Sequence, residues 1–293
     1  DWYLLKVPSY LMALDTYSNV RVWNQIALEL LKRYSKKFFM FAADEFIRPR
    51  LEIRELDVVD KNLPGPDENY QLTVDSSEQQ LITDIERLQD EIGKSLKAKS
   101  RHRLIEAGQL KACILSNHLF QPLLFSEKGA PISIAPVALN DSEKDFVVGL
   151  MGWLDANEKT LQEQGTSLYQ LRNKSRGRGV GFFEAGNFYP DFILWLVNGD
   201  HQKIVFVEPH GISHEGPEHP KIKFHETIKD VENRLGDPNL VLESCIVTPT
   251  RYAAVKDRGL TIQEWEDRHV LFMHESGEDY INTLFSKVCA TAV

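Results

Sequence analysis

The chain has 293 residues, 42% of them hydrophobic, three cysteines and a formal net charge of −9. A length of this kind supports one large core or two modest ones, since domains usually hold about 100 to 200 residues. The acidic surplus excludes a protein that coats nucleic acid over its whole surface, because such proteins carry a basic excess that neutralises phosphates; local contact stays open.

No apolar run reaches the roughly 18 residues needed to span a bilayer, and the opening "DWYLLKVPSY" lacks the basic start and long apolar stretch of a signal peptide. The expectation is a soluble, cytoplasmic chain with no membrane partner. Its first residue is Asp1 rather than Met, which reads as a processed chain or an excised piece of something longer. Cys113, Cys245 and Cys289 are isolated and lack CxxC spacing, so they read as core thiols rather than a disulfide framework or a zinc site.

From Asn19 to Phe41 the apolar residues Val22, Ile26, Leu28, Leu30 and Leu31 fall at largely helical spacing, predicting an amphipathic helix packed on a core. "FIRPRLEIRELDV" and "NYQLTVDSS" alternate apolar and polar residues and read as strands, separated by the turn-rich "DKNLPGPDEN". A long polar helix follows in "SSEQQLITDIERLQDEIGKSLKAK". Its "GKS", Gly93 to Ser95, is not a phosphate loop: the residue five before Gly93 is Leu88 rather than Gly, and the context is mid-helix. A second unit is expected from about residue 111, after an accessory region over 1–110. In it "HLFQPLLF" and "PISIAPVAL" read as short extended runs, and a helix opens at Asn140, Asp141 and Ser142. "GVGFFEAG", "DFILWLV" and "KIVFVEP" are consecutive strand candidates. A helix stopped by Gly236, the strand "LVLESCIVTP", the short helix "TIQEWEDR", the strand "VLFMH" and a closing helix complete the order. That succession predicts an α/β fold with a mixed sheet flanked by helices.

Two basic clusters interrupt the acidic background, "KSLKAKSRHR" at 94–103 and "RNKSRGRG" at 172–179. The first reads as a solvated face. The second carries glycines that let backbone approach a ligand, so Arg172, Lys174, Arg176 and Arg178 are candidates for nucleic-acid phosphates.

The chemistry concentrates in "NFYPDFILWLVNGDHQKIVFVEPHGISH", 187–214, where Asp191 and Glu208 flank two apolar runs. If the chain reverses at Gly199–Asp200, Asp191 lies directly opposite Glu208; if it reverses at Asn198–Gly199, the two acids become diagonal neighbours. Either register keeps them on one face. Opposed residues have β-carbons about 4.5 to 5.5 Å apart, where like charges repel and a divalent cation would convert repulsion into coordination. Mg²⁺ suits oxygen ligands of this kind, with Mn²⁺ as substitute. Strand period adds His210 to the same face, the Pro209 carbonyl is a further candidate ligand, and Glu184 could join from the preceding strand. The histidines at 210, 214, 219 and 225 lack an HExxH pattern or a cysteine partner, so zinc is disfavoured.

"YPDF" at 189–192, followed after a strand and turn by "FVEPHG" at 206–211, resembles the PD-(D/E)xK nuclease motif. With "HLFQPLLF" and "APVALNDSEKDFV", the stretch from about 115 to 290 is similar to the C-terminal nuclease region of DEAD/DEAH-box helicases related to type III restriction subunits and bacterial anti-phage proteins. The resemblance implies a restriction-endonuclease-like fold, with Asp191 and Glu208 as metal ligands, Glu143 as the acid on the helix before the sheet, and His210 in the lysine position. It also implies DNA as substrate and a helicase or ATPase segment in the same or a partner chain. Histidine there is a departure: it is mostly neutral at pH 7, its unperturbed pKa lying near 6.5, and can serve as a general base but not as a permanent cation. Lys221 or Lys223, at the start of the next helix, is the candidate replacement. The expected activity is Mg²⁺-dependent DNA hydrolysis; the alternatives are an inactive nuclease-like docking or nucleic-acid-binding module, and a metallohydrolase acting on a small substrate.

Overall fold

The computed structural model describes residues 16–47, 50, 69–98, 102–119, 122–174, 179–182, 188–275 and 279–289. The expected strand over 46–58 lies largely outside them, although Phe46 and Ile47 belong to a helix. The chain divides into two compact units, Asp1–Leu56 and Asp57–Val293. The boundary expected near residue 110 falls within the second, at the turn of a hairpin.

In the first unit α1 runs Tyr17–Ile47. Contrary to the expectation of a stripe buried on a core, Leu28, Leu31, Phe38, Phe39 and Phe46 are exposed. At 100° per residue these five side chains fall within an arc of about 100°, so they do form one stripe, and that stripe is left exposed rather than packed on a core.

In the second unit β1 (Gln71–Val74) pairs antiparallel with β5 (Ile132–Ala135). The helix α2 (Gln79–Lys97) packs its Leu81 and Leu88 against Ile105, Leu110, Ala112 and Leu124 of a three-stranded antiparallel sheet, β2 (His102–Ala107), β3 (Leu110–Leu115) and β4 (Leu123–Ser126). The β2–β3 hairpin turns at Gly108, whose φ of +56° suits a residue without a β-carbon.

The main sheet has the order β10-β9-β8-β7-β6, with β6 Thr166–Arg172, β7 Phe192–Asn198, β8 His201–Pro209, β9 Leu240–Thr248 and β10 Val270–Phe272. β6, β7 and β8 form an antiparallel meander, and β8, β9 and β10 run parallel, so the sheet is mixed. The expected meander thus exists, but its first strand is Thr166–Arg172 rather than "GVGFFEAG". Of the latter, Phe182 is bridged to Phe188, which follows the run. Gln170, buried in β6 with its amide on the Ser116 carbonyl at 3.0 Å, masks the strand's apolar alternation.

Strand period sorts the side chains. Phe192, Leu194 and Leu196 with Val205 and Val207 meet α3 (Asp141–Glu163) and α6 (Asp279–Cys289). Ile193, Phe206 and Leu242 meet Phe224 and Ile228 of α4 (Pro220–Leu235) on the other face. Ile246, Val270 and Phe272 enclose Trp265 of α5 (Ile262–Glu266). β10 is short, so Leu242 of β9 faces an open edge. Side chains of α4 fill it: Glu232 accepts the Leu242 N–H at 2.6 Å and Lys229 donates to its carbonyl at 2.7 Å.

Among the described residues no helix is long and apolar enough to cross a membrane. Cys113 and Cys245 are buried free thiols, their pKa values raised by burial, as expected of core cysteines.

Candidate active site

The site grows from the β7–β8 hairpin. The pairs Phe192–Val207 and Asn198–His201 place the two-residue loop at Gly199–Asp200, the first of the two candidate registers. Gly199 takes φ +58° at the first loop position, where type II′ hairpins require glycine. The same register carries Asp191, one residue before β7, to the position opposite Glu208, and the Asp191 N–H donates to Glu208 Oε2 at 3.2 Å. By strand parity both acids lie on the α4 face, as the sequence implied.

Glu208 is 5% exposed, and its other oxygen receives the Lys221 ammonium at 2.6 Å. Lys221 stands in the first turn of α4, which begins at Pro220 after the His219 cap. Asp191 has the least settled charge. Burial pushes its carboxyl from 3.8 up to about 8, with the charges of Glu208 and Glu143 acting in the same direction and Arg172 and Lys221 opposing.

Glu143, predicted from the resemblance, does reach the site. It completes a capping box at the start of α3, receiving the Asn140 N–H on Oε2 while Asn140 Oδ1 accepts the Glu143 N–H. Arg172 then binds Glu143 Oε2 at 2.9 Å and donates to the carbonyls of Val137 and Ala138. Tyr70, whose pKa burial raises, adds its hydroxyl to the Arg172 guanidinium. Arg172 is therefore not a free phosphate-binding arm: its side chain is 17% exposed and turned inward as the counter-charge of the acids.

His210 leaves the strand at the end of β8 and turns its ring away to Glu215, with Nε2 3.3 Å from Oε1. Burial raises the Glu215 carboxyl, but the hydrogen bond to His210 and the charges of His219, His210 and Lys221 outweigh it and hold the group below its ordinary value. Lys223, the other candidate cation, is also misplaced, because its ammonium pairs with the exposed Glu218. Two residues along a helix turn the side chain by about 200°, so only one of the two lysines can face the sheet. The Pro209 carbonyl accepts the Ser142 hydroxyl at 3.0 Å. Lys174 is described at the start of the basic stretch, whereas Arg176, Arg178 and Glu184 lie outside the described residues.

No family model, curated protein or solved structure matches the chain. The site must therefore be judged on its own chemistry. Among the described residues no three histidine, cysteine or acidic side chains are grouped as a metal cage. A hard cation needs less. Mg²⁺ typically takes one or two protein carboxylates and fills its remaining positions with water and substrate oxygens. Asp191 and Glu208 meet that demand: burial first, and then the neighbouring charges of Glu208 and Glu143, disfavour the ionised Asp191 carboxyl, an environment that a bound cation would relieve.

Sequence reasoning missed Tyr70, His118 and Asn173. His118 is buried and accepts the Arg172 N–H on Nε2 at 3.1 Å. It lies in "HLFQ", one of the segments that carried the resemblance. Tyr70 and Asn173 had no local signal, since their partners are distant in sequence.

Proposed function

We propose that the chain is a metal-dependent phosphodiesterase acting on DNA, built on a restriction-endonuclease-like sheet with a PD-(D/E)xK-type site. One observation carries the reading: Asp191 and Glu208 meet at the end of adjacent strands with the Lys221 ammonium on Glu208. The mixed order of the sheet and the arrival of Glu143 at the same place support it.

Asp191 and Glu208 would hold Mg²⁺, or Mn²⁺ in its place, and that ion would supply Lewis-acid polarisation of the scissile phosphate and a more acidic water. Lys221 takes over the part of the lysine that His210 displaces: a cation at Glu208, available to a developing phosphorane charge. His210, the candidate base by sequence, instead turns its ring to Glu215 and away from the acids, so the cationic part at the site falls to Lys221 alone. Glu143 and Arg172 set the charge balance around Asp191. Phosphate contacts carry no sequence information, so strand or sequence selection falls to a helicase or ATPase segment, in this or a partner chain.

The test is cleavage of plasmid and linear DNA with Mg²⁺ or Mn²⁺, compared with Asp191→Ala, Glu208→Ala and Lys221→Ala. Metal-dependent cutting lost in all three supports the reading. A second reading, a non-cutting module that binds nucleic acid or a protein, draws on the turning of His210 away to Glu215. It predicts DNA binding without cleavage under every metal.

A further inference from the structure

One side chain, that of Asn173, ties together two later backbone segments, at Val180 and at Pro190. Asn173 follows Arg172 directly. Its N–H donates to the Asp191 carbonyl at 2.8 Å, continuing the β6–β7 ladder by one rung. Its carboxamide makes three further bonds: Nδ2 to the carbonyls of Pro190 and Val180, each at 2.8 Å, and Oδ1 from the Val180 N–H at 2.9 Å. A single residue thus grips the Pro190–Asp191 backbone through side chain and main chain at once. The fit is close, for a β-carbon on Gly179 would run into the Lys174 carbonyl and Asn173 Oδ1.

Phe182 and Phe188 exchange backbone hydrogen bonds at 2.7 and 3.0 Å. Phe182 packs on Phe206 and Phe224 with ring centroids 4.6 and 4.7 Å apart, and Phe188 lies 5.4 Å from Phe224. The Lys221 ammonium sits 5.3 Å from the Phe188 ring centre. The backbone is therefore held at Asp191 by Asn173, while Phe188 sits beside Lys221.

We infer that Asn173 is the positioning residue for Asp191, holding the Pro190–Asp191 backbone so that the carboxylate stays opposite Glu208. The inference rests on the function proposed above. A carboxylate ligand fixed only by the end of a strand could swing, whereas two hydrogen bonds from one residue, N–H to the Asp191 carbonyl and Nδ2 to the Pro190 carbonyl, hold its backbone. Loss of such outer partners of a metal ligand typically costs about 10- to 100-fold in metal affinity or activity.

The experiment compares wild type with Asn173→Asp, which keeps the Oδ1 acceptor but loses both amide donors, and with Asn173→Ala. The control is Asn198→Ala, at the far end of β7, whose amide bonds the Gln164 carbonyl at 3.0 Å and Thr166 Oγ1 at 3.3 Å. Three quantities are read: the melting temperature, Mn²⁺ affinity by calorimetry, and kcat and KM for Mg²⁺-dependent DNA cleavage. The expected result is a kcat and a Mn²⁺ affinity lowered about 10- to 100-fold in both Asn173 variants, with KM nearly unchanged. Asn198→Ala should show a similar melting shift and wild-type kcat. Cleavage and Mn²⁺ binding equal to wild type in the Asn173 variants, or a loss matched by Asn198→Ala, would overturn the inference and leave the nuclease reading standing. A wild type that neither binds Mn²⁺ nor cuts would overturn both. Should the Asn173 variants fail to fold, Gly179→Ala presses on the same clasp from the other side: a lowered kcat supports the inference, and an unchanged one refutes it.

Discussion

Replacing Asp191 by asparagine keeps the shape of the side chain while removing one of the carboxylates crowded between β7, β8 and α3. In the folded chain burial and the charges of Glu208 and Glu143 lift this carboxyl from 3.8 to about 8. Between those two values the unfolded chain has already released the proton and the folded chain still holds it. Asp191 therefore costs stability progressively as pH rises from about 4 to 8, and the cost is constant above that. A shift of that size corresponds to about 5 to 6 kcal/mol at face value. Structural relaxation and water reduce such penalties, leaving about 1 to 3 kcal/mol. With about 2 to 4 °C per kcal/mol for a chain of this size, metal-free Asp191→Asn should melt roughly 2 to 12 °C above wild type at pH 8.5. The gap should largely close at pH 4.5, where the wild-type carboxyl is protonated in the fold. Thermal melts by circular dichroism in EDTA at the two pH values measure it. A variant that melts at or below wild type at pH 8.5, or a gap that does not widen with pH, would refute the burial of this carboxyl beside Glu208 and Glu143.

Lys221→Met should act in the opposite direction. It leaves Glu208 buried without its cation, and because the lysine is itself 26% exposed the cost should be about 1 to 3 kcal/mol by urea denaturation, together with loss of cleavage. Lys223→Ala, two residues on, should leave both melting and cleavage as in wild type, since its ammonium pairs with the exposed Glu218 rather than with the site acids. Gly199→Ala places a β-carbon at φ +58° and should destabilise by about 1 to 2 kcal/mol, read as a lower denaturation midpoint with unchanged slope.

The alternation of "DFILWLV" and "KIVFVEP" was enough to place Asp191 and Glu208 on one face, because each strand commits its even and odd residues to different helices. The turn was not decided, since both "NG" and "GD" are turn dipeptides; it is Gly199 in the first loop position that selects direct opposition. The choice between Lys221 and Lys223 depended on where α4 starts, a matter of the His219 cap and Pro220 that spacing alone does not settle. β6 escaped notice because a buried glutamine and an exposed tyrosine, Gln170 and Tyr169, blur its pattern. The inward turn of Arg172 was likewise hidden. Its partners Tyr70, Val137, Ala138 and Glu143 come from three separate segments, and a basic residue at the head of "RNKSRGRG" looks, in sequence, like the rest of the run. His118 lay within a noted motif, yet its bond to the Arg172 N–H required the packing of β6 beside residues 117–119 to be known.

The central claim is that Asp191 and Glu208 form a metal-dependent phosphodiesterase site, and DNA cleavage by the purified chain tests it most directly. The account predicts cutting of linear or plasmid DNA that requires Mg²⁺ or Mn²⁺, stops with EDTA, and is lost in Asp191→Ala and Glu208→Ala while both variants still melt cooperatively. Intact DNA under every divalent metal, or cutting that survives either substitution, would contradict it.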